Sequence, residues 1–443
     1  MENTNIMKLG AVVLLLLLGL AQCKDEDSFA QHDPGTPVEV TAFTPDSGSA
    51  AAQLLIYGSN FGTDTSLIEV TINGTKAPVL GSNGSVIFAM VPRKAAATDR
   101  FCNVKLRVGT QEVLLKEQFY YKRRYMVTTL AGTSDRDGQR YYIDGPIDMA
   151  QFRNPCWLMF DDKYNLFIID EGDGVRYINA AQTEVKTLFR TGNGVSRPRS
   201  IAFTSTYDTM IVSNDQPDQS GYSQVMVKRN ADGSWPENAP WTPVCYTVNC
   251  NGGAFHPVNN NEYYFNSYTN GEVYKVNDTK AARWTPEELF RTGDVNWEFG
   301  TYFAPSGNFA YFVVVNNHYI ARSTYDWGNH KLLSPIDFVG VRGENNRVDG
   351  ALTNARVTRP FQGTFDEDDN FYFCEQWSHT VRKITPEGIV TTFAGRSFSL
   401  GFVDGELREA VFNGPGGIAY DKRDGTFYVG DVGNGRIRKI AIE

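Results

Sequence analysis

Asp404-Gly405-Glu406-Leu407-Arg408-Glu409-Ala410-Val411-Phe412-Asn413-Gly414-Pro415 is the stretch from which the fold can be read, because its spacing occurs twice more upstream. Asp144-Gly145 and Asp349-Gly350 open the other two runs, with Ala150 and Ala355 matching Ala410, Phe152 and Val357 matching Phe412, and Pro155 and Pro360 matching Pro415. After the proline comes a β-compatible run that ends on an aromatic residue, then a polar turn and an aromatic-rich strand. That second element occurs six times, opening at Phe160, Phe203, Phe255, Phe303, Phe365 and Tyr420. A third strand is clearest at Arg436-Ile437-Arg438-Lys439-Ile440 and a fourth at Ile389-Val390-Thr391-Thr392-Phe393-Ala394. Four strands per unit and six units describe a β-propeller over 123–443. The last unit stops before its fourth strand. A match to that strand, Met126-Val127-Thr128-Thr129-Leu130-Ala131, stands at the start of the domain, so the N-terminal segment is expected to complete the final unit.

The final unit, from Asp404-Gly405 to Arg438-Lys439-Ile440, resembles the NHL repeat family. The likeness extends to the first and fifth units and is weak in the second to fourth, which lack the Asp-Gly element. Residues 38–122 alternate in short bursts separated by Gly, Asn and Pro turns, the pattern of a small β-sandwich. Pro45 and Gly48, followed by Ile56-Tyr57-Gly58-Ser59-Asn60-Phe61-Gly62, resemble the immunoglobulin-like IPT/TIG family, whose members serve mainly as spacers or interaction modules. Gly58 and Gly62 are expected to supply positive φ so that Phe61 can tuck under the sheet. The fold class expected is therefore all-β, with an IPT/TIG sandwich followed by a six-bladed NHL-type propeller.

Lys8 and the apolar run Ala11 to Leu20 read as an export signal over 1–22, too short for a comfortable spanning helix. Leu20-Ala21-Gln22-Cys23 resembles the lipobox of bacterial lipoproteins, and the following Lys24-Asp25-Glu26-Asp27 is similar to the surface-export signal of Bacteroidota lipoproteins. That likeness implies acylation at Cys23, a lipid anchor without a transmembrane helix, and an outer-membrane location facing outward. Residues 23–37 read as a lipidated flexible tether. The remaining cysteines show no metal-binding spacing; Cys245 and Cys250 are close enough to bridge, while Cys102, Cys156 and Cys374 read as buried thiols. A formal net charge of -9 argues against a nucleic-acid platform.

Propellers use the mouth of the ring, where loops converge. The residues placed there by the repeat are Trp157, Arg199, Asp215, Tyr268, Trp297, Asn316, Arg359, Glu375, Trp377 and Asp431, with Glu171, Asn214 and Phe361 beside them. Amides, carboxylates, guanidiniums and flat rings together suit carbohydrate: rings stack on sugar faces and polar groups read hydroxyls. The acidic turns at Asp161-Asp162 and Asp366 to Asp369 invite a calcium reading, yet they share a hairpin position with uncharged turns, which explains them better. No catalytic residue, metal site or cofactor is expected. Some six-bladed relatives are lactonases or lyases, whose carboxylate and amide site could be assembled from Glu171, Asn214 and Asp431. The combination of anchor, spacer and propeller resembles accessory surface lipoproteins of outer-membrane nutrient uptake. It implies capture of an extracellular nutrient, foremost a glycan, for a neighbouring TonB-dependent transporter. A protein-protein scaffold and capture of a corrinoid cofactor are the further alternatives.

Overall fold

The computed structural model describes residues 31–442 except 93–94, 96–99, 217–220, 248–249, 260, 268 and 294–298, so the export signal, Cys23, Tyr268 and Trp297 lie outside the described residues. The chain divides into two compact units, meeting at Arg124 and Tyr125.

The first unit is a sandwich. One sheet has Glu39–Thr44, Gln53–Ser59, Val86–Met90 and Val79–Ser82; the other has Ser47–Gly48, Gln111–Tyr121, Arg100–Val108, Ile68–Ile72 and Thr75–Ala77. Alternation along Ile68–Ile72 and Arg100–Val108 turns Ile68, Val70, Ile72, Val104, Leu106 and Val108 into one core with Leu54, Ile56 and Phe119. Phe61 is fully buried there. Gly62 has the expected positive φ, but Gly58 does not. Gly58 is required instead for close approach, since a Cβ there would stand 1.9 Å from the Glu39 carbonyl and 2.6 Å from the Phe61 ring. The expected tether is also shorter than its assigned bounds. The Asn60 amide donates to the carbonyls of Asp33 and Thr36, and the Gln111 amide to those of Pro34 and Thr36, so 33–36 are fastened to the sandwich.

The second unit contains six sheets among the described residues. Their first strands, Pro155–Phe160, Pro198–Phe203, Gly253–Phe255, Phe299–Phe303, Pro360–Phe365 and Pro415–Asp421, neighbour one another in that order, and the sixth packs back on the first. Each sheet then runs outward as an antiparallel meander, the arrangement of a propeller. The sixth sheet is completed from the other end of the domain: Tyr125–Ala131 pairs antiparallel with Arg436–Ile442, placing Val127 opposite Ile440 and Thr129 opposite Arg438. The graft is close in detail. Every sheet has a bulge between its third and fourth strands, and the borrowed strand carries its own between Thr129 and Ala131. A bulge adds local twist, which lets a fourth strand follow the curl of its blade.

The twelve-residue repeat has a structural role. Gly145–Pro146, Gly350–Ala351 and Gly405–Glu406 each add a short fifth strand to the outer edge of their sheet. Ala150, Ala355, Ala410, Phe152, Val357 and Phe412 are fully buried, so these matching positions fill the core. The aspartate accepts from a wholly buried arginine on the third strand: Asp144 from Arg176, Asp349 from Arg382, Asp404 from Arg438, at 2.7 to 2.9 Å. In the other three sheets Val225, Tyr274 and Ala321 stand in register with those arginines.

The borrowed strand should carry measurable stability. Val127 is fully buried, so Val127→Asp forces a carboxylate into the sixth sheet and is expected to cost on the order of 4 kcal/mol in urea unfolding. Thr128→Asp, on the half-buried face, should cost much less. Equal effects would mean that the strand is not held in the sheet.

Candidate functional site

The loops from second to third strand and the lead-in to each first strand share one end of the ring. At this end the repeat splits into inner and outer positions. The residue that ends the second strand turns inward. Asp170 accepts from the N–H groups of Arg153 and Asn154 and from Arg176; Glu375 accepts from Thr358 N–H and Arg382; Asp431 accepts from Asn413 N–H, the Asn434 amide and Arg438. All three are fully buried. Burial pushes the Asp170 and Asp431 carboxyls up, while the loop amides and the guanidinium pull the other way. Glu375 and Asp431, expected as ligand groups, are therefore internal ties. Asn214 plays the same part, accepting from Ser196 and Arg197 N–H and donating to the Gly194 and Tyr222 carbonyls. With Asp431 and Asn214 engaged in this way, they do not join Glu171 as a metal set.

The following residue bonds through its backbone N–H to the carbonyl just before the proline that opens the same sheet: Glu171 to Asn154, Asp215 to Arg197, Gln376 to Arg359; Glu171 and Gln376 are partly exposed and Asp215 is buried. Two clusters result. Between the first and second sheets, Arg199 bridges Glu171 at 2.6 Å and Asp215 at 3.0 Å, and Arg197 adds a second contact to Asp215 at 3.2 Å. Two cations facing two anions leave this side with no net charge.

Between the fourth and fifth sheets, the Arg359 side chain donates to Gln376 at 2.7 Å and to Asn316, and its guanidinium carbon lies 5.6 Å from the Trp377 ring centre. The His318 ring sits 5.3 Å from the same indole. Trp377 is nonetheless 49% exposed, so an indole is propped at its sides and left open to solvent. Of the residues that the repeat places at the mouth, Asn316, Arg359, Gln376 and Trp377 come together here, with His318 added by the structure.

The sequence reading did not find His318. It occupies the left-handed turn position, φ 59°, that Gly271 and Gly435 fill in the third and sixth sheets; His379 occupies it in the fifth, φ 58°. Each ring then latches the next sheet: His318 Nδ1 accepts from Arg359 N–H at 3.0 Å and His379 Nδ1 from Gly414 N–H at 2.9 Å. A shared spacing from the end of the second strand, Asn316-Asn317-His318 against Trp377-Ser378-His379, was the available signal.

Between the clusters, on the ring axis, lies a small hollow, with room for little more than a water molecule, lined by Trp157, Arg199, Asn251, Tyr302, Phe361 and Gln362. Trp157 is not the open platform expected of it. It is buried and stacked on Tyr302, centres 5.7 Å apart and 19° between planes. Gln362 crosses the axis, accepting from Leu158 and Ile418 N–H and donating to the Leu158 carbonyl. First strands of a tight ring have one unpaired edge, and this amide satisfies part of it.

Elsewhere, Cys245 and Cys250, close enough in sequence to bridge, are free, buried thiols in one core cluster, and the Gln224 amide contacts Cys250 Sγ at 2.7 Å. Cys102, Cys156 and Cys374 are buried free thiols, and burial raises each. Asp161 and Asp366 cap their own hairpins, accepting from the N–H groups of Lys163 and Asn165 and of Asp368 and Asn370. Among the described residues no group of three or more His, Cys, Asp or Glu is disposed to hold a metal ion, and no helix is long and apolar enough to cross a membrane.

Comparison with known proteins agrees with this architecture. Residues 37–121 match the IPT/TIG domain and residues 412–440 the NHL repeat. A Bacteroides thetaiotaomicron crystal structure, of a protein described as an auxiliary nutrient binding protein, is 38% identical, with TM-score 0.73, covering 94% of this chain and 100% of that one. A second of the same description, from Bacteroides ovatus, is 31% identical, with TM-score 0.76, over 93% of this chain and all of its own. Another from Bacteroides thetaiotaomicron, 32% identical over 94% of this chain and 99% of its own with TM-score 0.72, is provisionally described as a phosphatase. Bovine NHL repeat-containing protein 2 is 29% identical over 98 residues, 22% of this chain; the match spans only 14% of that relative's length.

Two expectations follow. Asp431→Ala leaves Arg438 with Asp404 as its one carboxylate and takes the acceptor from the Asn413 N–H, and should cost about 3 kcal/mol in chemical denaturation without changing ligand affinity; a loss of affinity with intact stability would return Asp431 to the site. Burial also holds the His256, His318 and His379 rings below the usual histidine range. The unfolded chain, titrating near ~6.5, takes up more protons than the fold as pH falls through that value, so stability declines with acidification. The urea midpoint should drop between about pH 7.5 and 5.5. The slope should flatten in a His318→Asn, His379→Asn double variant, because Asn tolerates the left-handed turn and still accepts the N–H. A flat wild-type profile would contradict the latch.

Proposed function

Because the chain belongs to the family of Bacteroides proteins that join an IPT/TIG domain to an NHL-repeat propeller, we propose that it binds an extracellular nutrient at the propeller mouth, and that the nutrient is a glycan. The observation that carries this reading is Trp377. Arg359 and His318 hold this large ring in place with about half its surface open to water, the arrangement of a fixed stacking platform. Indole faces stack on the C–H faces of sugars. The Asn316 and Gln376 amides and the Arg359 guanidinium lie within reach of the hydroxyls that such a ring would present. The description of two relatives as auxiliary nutrient binding proteins supports the nutrient-binding part of this reading.

The setting proposed for this activity is the outer surface of the outer membrane, with the chain anchored by lipid at Cys23 and passing its ligand to a neighbouring TonB-dependent transporter. The lipobox-like ending at Cys23 and the acidic residues after it support the anchor. Stable anchoring then follows from acyl chains, at about 0.8 kcal/mol per buried CH₂.

A glycan array probed with the full chain, followed by titration calorimetry on the best hit, tests the reading. Trp377→Ala should weaken binding at least about tenfold, or 1.4 kcal/mol. Arg359→Ala, which removes the prop, should weaken it less. Absence of binding to every polysaccharide, or full affinity in Trp377→Ala, would overturn it.

A further inference from the structure

One loop at the mouth end departs from its counterpart. The connection from the fourth to the fifth sheet, Gly340 to Pro360, and that from the fifth to the sixth, Gly395 to Pro415, correspond residue for residue. Both make the same turn. The Gly343 N–H bonds to the Asn317 carbonyl and the Phe398 N–H to the Ser378 carbonyl, while the Glu344 and Ser399 N–H groups close back on Val341 and Arg396. The matching position has a left-handed backbone in each, φ 77° at Gly343 and 55° at Phe398. Glycine adopts that conformation freely; a bulky side chain is strained there. The fourth sheet thus puts the relaxed residue in this turn and the fifth a phenylalanine.

Packing does not offset the strain. Tyr164 and Tyr207 also take left-handed φ, at 61° and 53°, but their rings lie against Phe160 and Phe203, centres 6.0 and 5.6 Å apart. Phe398 is 62% exposed, and Leu400, two residues on, is 67% exposed where the fourth sheet has Asn345. Phe402 is exposed too, yet its ring has the Arg436 guanidinium 4.3 Å from its centre and so has a packing role. The turn itself does not demand apolar residues, since its counterpart reads Val341-Arg342-Gly343-Glu344-Asn345-Asn346. The place is also specific. Ser378, which accepts from Phe398, is the neighbour of Trp377, and the Gly401 carbonyl accepts from the Asn434 amide at 2.7 Å. The loop is therefore fastened to the mouth-end loops of the fifth and sixth sheets, and the exposed phenyl and the exposed indole stand on segments joined by a hydrogen bond.

We propose that Phe398 is a second stacking position of the mouth: Trp377 takes one sugar unit of a glycan chain and Phe398, flanked by Leu400, takes another farther along it. The proposal rests on the glycan reading of Trp377 and specifies the substrate class, a chain of several units lying from the fifth sheet towards the sixth and not a free monosaccharide. Aromatic faces stack on the C–H faces of sugars. A ring whose backbone is already fixed by the turn loses little freedom on binding, so the second contact adds to affinity. A protein partner covering the same ring would not respond to the length of a sugar chain, and chain length is what the test reads.

The test is calorimetry on the full chain with a length series, monosaccharide upward, of the glycan class that binds best on an array. Affinity should rise at least about tenfold from the monosaccharide to the longer chains. The double variant Phe398→Gly, Leu400→Asn introduces the residues of the matching turn, so its thermal midpoint should be unchanged or raised. It should lose most of the gain with length while binding the monosaccharide as the wild type does; Phe398→Tyr, which keeps a ring, should retain the gain. Trp377→Ala should weaken binding at every length. If Trp377→Ala weakens binding and the double variant holds long chains as tightly as the wild type, the second position is wrong and the mouth reading stands. If the double variant weakens all lengths equally, or lowers the midpoint and spares affinity, Phe398 is respectively part of the first position or part of the packing, and the proposal is likewise overturned. If no saccharide binds at all, the mouth reading fails first and takes this one with it.

Discussion

The antiparallel pairing of Tyr125–Ala131 with Arg436–Ile442 is the contact on which the propeller depends. Without it the sixth sheet would end at a bare third strand and expose a row of unpaired N–H and C=O groups. The first strand of that sheet, Pro415–Asp421, packs between those of the fifth and first sheets, so a loosened sixth sheet would open the ring. The mouth clusters are built across sheet boundaries, Arg199 to Glu171 and Arg359 to Asn316, and so is the Gln362 tie. Their geometry follows from the ring being closed. The cost is kinetic: pairing residue 125 with residue 442 requires the ends of the domain to meet before the last contacts form.

Within the ring, one chain solves the same packing problem in two ways. Three sheets bury an arginine between two carboxylates, as at Arg176 with Asp144 and Asp170. The other three put Val225, Tyr274 or Ala321 in that register and lack the edge strand that the Asp-Gly element supplies. A buried ion pair and an apolar substitute are close in stability, provided that all partners change together. That equivalence is how sheets with and without the Asp-Gly element and its arginine can share one ring.

The fold was legible for a physical reason: the repeated residues meet repeated demands. Asp404, Ala410, Phe412 and Pro415 each perform one job in three sheets, so spacing alone exposed them, and the displaced strand at Met126 was visible because it matches Ile389-Val390-Thr391-Thr392. The site was only partly legible. A repeat places Asp431 and Gln376 in adjacent slots but does not say which slot faces the arginine and which faces the mouth; that depends on the direction of the strand end. It also could not pair sheets, and the prop under Trp377 comes from His318 and Arg359 of different sheets. Trp157 was misjudged for the same reason, since its partner Tyr302 lies across the axis in the fourth sheet. Gly58 shows the limit for glycines: the residue was identified correctly and its role was not, because close approach and positive φ leave the same mark in a sequence.

A propeller held shut by a borrowed strand can present side chains from separate sheets to one ligand with little freedom to rearrange, which suits capture of a polar nutrient from dilute solution. The central claim is that the borrowed strand is part of the cooperative unit and not an appended arm. Native-state hydrogen exchange read by mass spectrometry tests it directly. Peptides covering 125–131 and 436–442 should exchange together, at a rate set by global unfolding, as slowly as the first strands of the ring. Fast exchange of 125–131, with 436–442 protected or not, would show an open ring and contradict the account.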